Sequence, residues 1–126
     1  MKKYAGLIIT LGAIILVVGG LVYLNNKRNS VPGQYDKLAQ CLTQKGVKFY
    51  GASWCPHCAA QKKAIGSSMK YIDYVECSVG GTQTMTKACE DAKIESFPTW
   101  DFPNGSRVTG EQQPSALAEK AGCPLQ

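Results

Sequence analysis

The stretch Gly51-Ala52-Ser53-Trp54-Cys55-Pro56-His57-Cys58-Ala59-Ala60-Gln61 decides how the rest of the chain is read. Two cysteines flank a proline and the only histidine among 126 residues. Four chemistries use such letters: a metal site, covalent haem attachment, a cysteine nucleophile and a redox disulfide. Structural zinc needs two close ligand pairs, and no second C-x-x-C accompanies this one, so no metal is expected. Haem attachment requires a histidine directly after the second cysteine, where Ala59 stands. A protease-type cysteine needs a histidine base elsewhere in the chain, and His57 has no counterpart.

The redox reading fits what flanks the motif. Val47 to Ala52 (V-K-F-Y-G-A) is short, β-rich and bounded by glycines, a strand signal. A helix beginning immediately afterwards puts Cys55 at its first turn, with Pro56 where a missing N–H costs nothing. Free backbone N–H groups and the helix dipole stabilise an anion there. Cys55 is then the reactive thiolate and Cys58, one turn on, its resolving partner. A purely structural C-x-x-C disulfide is the plainer alternative, but it has no need of a helix terminus.

Further out, Tyr35, Leu38, Ala39 and Leu42 carry the i, i+3, i+4, i+7 stripe of an amphipathic helix, closed by Lys45 and Gly46. After the motif, Cys58, Ile65, Met69 and Ile72 share a helical face, with Gly66 placed to kink it. Tyr74 to Cys77 reads as a strand and Thr84 to Ala92 as a third helix. Thr99–Phe102 and Arg107–Gly110 flank Asn104-Gly105, a strong hairpin signal. Pro114 opens a last helix that Gly122 ends. The order α, β, α, β, α, β, β, α predicts an α/β domain with a small mixed sheet and helices on both faces.

Six cysteines, at 41, 55, 58, 77, 89 and 123, suggest a disulfide framework in an oxidising compartment. They allow 15 connectivities. The expected set is Cys55–Cys58 as the redox pair, Cys77–Cys89 across a short loop, and Cys41–Cys123 joining the first helix to the C-terminus. Residues 5–24 are uncharged over about 20 positions, roughly the 30 Å of a bilayer core. They lack a signal-peptide cleavage pattern. The expected organisation is an N-terminal tail (1–4), a transmembrane anchor (5–24), a polar linker (25–33) and the domain (34–126). That implies a single-pass cell-membrane protein with a cytoplasmic N-terminus and an extracytoplasmic domain. The net charge of +5 arises mostly from Lys2, Lys3, Lys27 and Arg28, leaving the domain near neutral. A nucleic-acid partner would need basic residues massed on the domain and is not expected.

Together, W-C-P-H-C after a strand and the distant I-E-S-F-P-T-W resemble the thioredoxin fold. F-Y-G-A-S-W-C-P-H-C-A-A-Q-K-K and Y-V-E-C-S are more specifically similar to the thioredoxin-like domain of bacterial vitamin K epoxide reductase homologues. The likeness covers roughly Tyr35 to Cys123. It implies a four-stranded mixed sheet and a cis peptide at Pro98 beside the active disulfide. It also implies that Trp54, Pro56 and Phe97 form the substrate-docking face, with Trp100 in the core. His57 would stabilise the Cys55 thiolate.

The implied activity is transfer of disulfides to cysteine-containing exported proteins. No cofactor is bound beyond the Cys55–Cys58 disulfide, which a separate quinone-linked membrane oxidoreductase would reoxidise. A reductant or isomerase of the same fold is the alternative, and a non-catalytic, disulfide-rich binding domain is the second. One departure from the pattern stands out. Phe49 occupies the place where many thioredoxins carry a buried aspartate.

Overall fold

A computed structural model describes residues 2–29 and 32–126, with side chains described from 10 to 26 and from 32 onward. The chain parts into two units between residues 31 and 32. In the first, helix α1 runs Lys2–Asn29. The expected transmembrane anchor at 5–24 is corrected here: among the described residues no helix is long and apolar enough to cross a membrane. The helix also continues through Asn29, past the start of the linker expected at 25–33. Residues 30 and 31 of that linker, and Met1 of the tail, lie outside the described residues.

The second unit is built on four strands, β1 (Lys48–Gly51), β2 (Asp73–Glu76), β3 (Thr99–Asp101) and β4 (Arg107–Thr109). Their order is β2-β1-β3-β4, with β1 parallel to β2 and antiparallel to β3, and β3 antiparallel to β4. Around them lie α2 (Asp36–Gln44), α3 (Pro56–Ile65), α4 (Lys87–Asp91) and α5 (Pro114–Ala121). This mixed sheet with flanking helices fits a thioredoxin-like fold.

Side chains along β1 alternate between two cores, as the pleat requires. Phe49 joins Leu38, Leu42, Ile65, Trp100 and Leu117 on one side; Tyr50 joins Cys77, Cys89 and Ile94 on the other. The stripe on α2 is buried as Leu38, Ala39 and Leu42. Asp36 starts that helix, and its carboxylate accepts the Gly33 N–H at 2.9 Å.

Two helices differ from the sequence expectation. The helix after the motif does not continue to Ile72. At Gly66 the backbone turns to φ 65°, a region that favours glycine, and the chain goes on as a 3-10 turn over Gly66–Tyr71. The helix expected over Thr84–Ala92 shortens to Lys87–Asp91 because its front is drawn into sheet-like pairing. Ser78 bridges Met85, and the Thr86 N–H donates to the Cys77 carbonyl at 2.8 Å.

Two disulfides tie the unit, Cys41–Cys123 and Cys77–Cys89, with sequence separations of 82 and 12. Loop-closure entropy scales with those separations, giving about 4.5 and about 3 kcal/mol. The first staples α2 to the chain after α5, where Lys45 Nζ also donates to the Ala121 carbonyl at 2.6 Å. Urea unfolding of a Cys41→Ala/Cys123→Ala variant is expected to show the larger loss, about 4 kcal/mol, and Cys77→Ala/Cys89→Ala about 3 kcal/mol. The reverse ranking would contradict the loop argument.

Candidate active site

The end of β1 and the start of α3 place both motif cysteines. The Cys55 N–H donates to the Ala52 carbonyl at 3.0 Å, which turns the chain out of the strand. Cys55 then occupies the N-cap of α3 with extended backbone, and Pro56 supplies the first helical position. The Cys55 Sγ accepts the Cys58 N–H at 3.4 Å, so the sulfur itself caps the helix. That is where unpaired N–H groups and the helix dipole favour negative charge.

Cys58 sits one turn deeper and is 1% exposed. Burial, foremost, and the hydrogen bond and charge of Cys55 push its thiol up to about 12, although the Ala52 backbone and Lys62 work the other way. The two sulfurs therefore stand in opposite environments, one at a helix start and one in the interior.

Cys58 reaches this depth because Gly51 has no side chain. A Cβ there would lie 3.1 Å from the Cys58 Sγ and 3.0 Å from Cε2 of Tyr74. Lys62, one turn beyond Cys58, places Nζ 3.7 Å from the centre of the Tyr74 ring. Tyr74 Oη donates to Glu76 at 2.6 Å. Burial, then that bond to Glu76, raises the Tyr74 phenol above its ordinary value.

Glu76 gathers the loop that leads into the motif. Its carboxylate accepts the Ser53 N–H at 2.9 Å, the Ser78 N–H at 3.0 Å and the Ser78 hydroxyl. Burial opposes its charge, but the bonds from Ser78, Tyr74 and the backbone outweigh it and hold the carboxyl down at about 2.

The opposite wall is the Phe97–Pro98 peptide, which is cis. The Phe97 carbonyl lies 3.9 Å from the Cys55 Sγ. Trp54 meets Phe97 edge to face with ring centres 6.0 Å apart, forming an apolar lip beside Cys55. Trp54 is exposed and Phe97 half-buried, while Trp100 is fully buried. His57 is exposed, and its Nδ1 lies 2.7 Å from Glu111 Oε1.

The sequence reading did not single out Gly51, Lys62, Tyr74, Glu76 or Glu111. Gly51 was read only as a strand boundary. Lys62 lies one helical turn beyond Cys58, but Tyr74, Glu76 and Glu111 meet the motif across separations that no local spacing reveals, 54 residues for His57 and Glu111.

The sequence has a counterpart among known proteins. Over 110 residues, 83% of this chain, the sequence is 45% identical to the thiol-disulfide oxidoreductase LTO1 of Arabidopsis thaliana. The chain spans 29% of that protein's length. No protein-family model matches.

The buried thiol makes the stability of the dithiol form depend on pH. Folded, Cys58 keeps its proton up to about 12, whereas its ordinary value is 9.0. The folded dithiol binds more protons in that window, so this contribution is complete below about pH 9 and is lost as pH rises toward 12. The disulfide form has no such group to titrate. Denaturation midpoints of the dithiol form are therefore expected to fall between pH 9 and pH 12 relative to the disulfide form. Parallel pH curves for the two forms would contradict the burial argument.

Proposed function

We propose that the domain is a thiol–disulfide oxidoreductase working through Cys55 and Cys58, and that it passes disulfides to cysteine-containing exported proteins. The observation that carries this reading is the Cys55 sulfur capping α3 through the Cys58 N–H, facing the cis Phe97–Pro98 peptide. The similarity to LTO1 over 83% of the chain supports the same activity.

In the forward direction, a substrate thiolate attacks the disulfide at Cys55 to form a mixed disulfide, and Cys58 leaves. A second substrate thiol then releases the dithiol enzyme. The helix start favours negative charge at the Cys55 sulfur. A stable reduced form makes its disulfide more oxidising. The backbone beside Pro98, at half-buried Phe97, is where an extended substrate segment can add as a strand, with Trp54, Pro56 and Phe97 forming the apolar lip.

The two structural disulfides favour an oxidising, extracytoplasmic compartment. Reoxidation falls to a quinone-linked membrane oxidoreductase of the vitamin K epoxide reductase type, the partner implied by the motif resemblance.

Equilibration with a glutathione buffer tests the direction. An oxidase is expected near the range of protein disulfide isomerase and stronger oxidants, about −180 to −120 mV. A potential near the thioredoxin value of about −270 mV would assign the chain to reduction instead. A Cys58→Ala variant should trap mixed disulfides through Cys55, and Cys55→Ala should not. Equal, slow alkylation of both thiols near neutral pH would favour a non-catalytic domain.

A further inference from the structure

The loop between β4 and α5 carries no residue of the C-x-x-C motif, yet it is fastened to the site at both ends. The Gly110 N–H donates to the carbonyl of Pro98 at 2.8 Å. Two residues later, the Gln61 side chain grips the backbone of Gln112. Its Oε1 accepts the Gln112 N–H at 2.6 Å, and its Nε2 donates to the Gln112 carbonyl at 3.0 Å. Gln61 is 1% exposed, and its Oε1 also accepts the Trp100 Nε1–H at 3.3 Å. A buried amide is costly to leave unpaired, so these bonds hold the loop in one position. Glu111 stands between the two anchors, with Oε1 2.7 Å from His57 Nδ1.

A carboxylate can only accept, so Nδ1 must carry the hydrogen. In the neutral ring this leaves the lone pair on Nε2. An exposed ion pair adds little to stability, so the consequence of the contact lies in the orientation and tautomer of the imidazole.

We infer that Glu111 is a positioning residue for His57, setting the ring so that Nε2 takes the proton of a thiol arriving at Cys55. The inference rests on the redox reading above. In the step, the substrate thiol gives its proton to Nε2 and its sulfur attacks the Cys55 Sγ. The new sulfur–sulfur bond forms as the Cys55–Cys58 bond breaks, and that bond's electron pair leaves on the Cys58 sulfur. The substrate sulfur is oxidised and Cys58 is reduced, with no further reactant.

The test compares Glu111→Ala and Glu111→Gln, each with His57 present and as His57→Ala. Two readouts serve: the nitrogen-15 spectrum of the single histidine, and the rate at which the disulfide form oxidises dithiothreitol. In the unaltered protein Nδ1 is expected as the N–H nitrogen of the neutral ring. E111A should lose that preference and slow the reaction about tenfold, a modest share of what a positioned base supplies. In E111Q the side-chain oxygen still accepts from Nδ1, so its rate should stay within about twofold of the unaltered protein. In the His57→Ala background E111A should change nothing.

An unaltered tautomer in E111A, a rate loss that persists without His57, or E111Q as slow as E111A would each overturn the inference. A disulfide in the unaltered protein that does not react with dithiothreitol would overturn the redox reading and the proton transfer together. The spectrum would still report the Glu111–His57 bond on its own.

Discussion

The placement of Phe49 between Trp100 and Tyr74 is the contact on which the second unit depends. Phe49 stacks on Trp100 with centres 4.5 Å apart and meets the edge of Tyr74 at 5.2 Å. These residues are also backbone register partners, Phe49 with Trp100 on β3 and with Tyr74 on β2. One residue therefore joins three strands through both ladder and side chain. Stacked or edge-to-face pairs contribute about 0.5–1.5 kcal/mol beyond the area they bury. A slip of one residue would turn Phe49 away from Trp100 and Tyr74 to the other face, into the core of Cys77, Cys89 and Ile94.

That register places Gly51 two residues further on, on the same face of β1, and so decides what Cys58 can touch. Without a Cβ at Gly51 the strand end and the first turn of α3 close together, and the sulfur enters the interior beside Tyr74. Burial then sets Cys58 apart from Cys55, whose sulfur remains at the helix start with a backbone N–H to accept. The asymmetry between the two sulfurs follows from strand register and helix capping. Glu76 secures the arrangement by joining the end of β2 to Ser53, two residues before Cys55.

Much of this was legible from local pattern. The C-x-x-C after a strand, the stripe on α2, the Asn104-Gly105 hairpin and the Pro114–Gly122 helix are short-range signals that the observed elements express. Where reading failed, a longer-range competitor prevailed. The front of the expected third helix pairs with residues 77 to 79, which periodicity cannot anticipate. The apolar run at 5–24 forms part of helix α1, yet among the described residues no helix is long and apolar enough to cross a membrane.

The sequence by itself determined the order of elements, the helix start at Cys55 and the pair of cysteines available for exchange. These depend on neighbours within a few residues, through pleat alternation, proline at the first helical position and glycine at the turns. Tertiary structure alone decided the company each group keeps: Glu111 beside His57, Gln61 holding the loop, Tyr74 and Lys62 near Cys58. Those contacts join β2, α3 and the loop after β4, and packing brings them together across 12 to 54 residues of chain. A side chain's charge and proton depend on its neighbours in space, so the chemistry of the pair became readable only once the chain was folded.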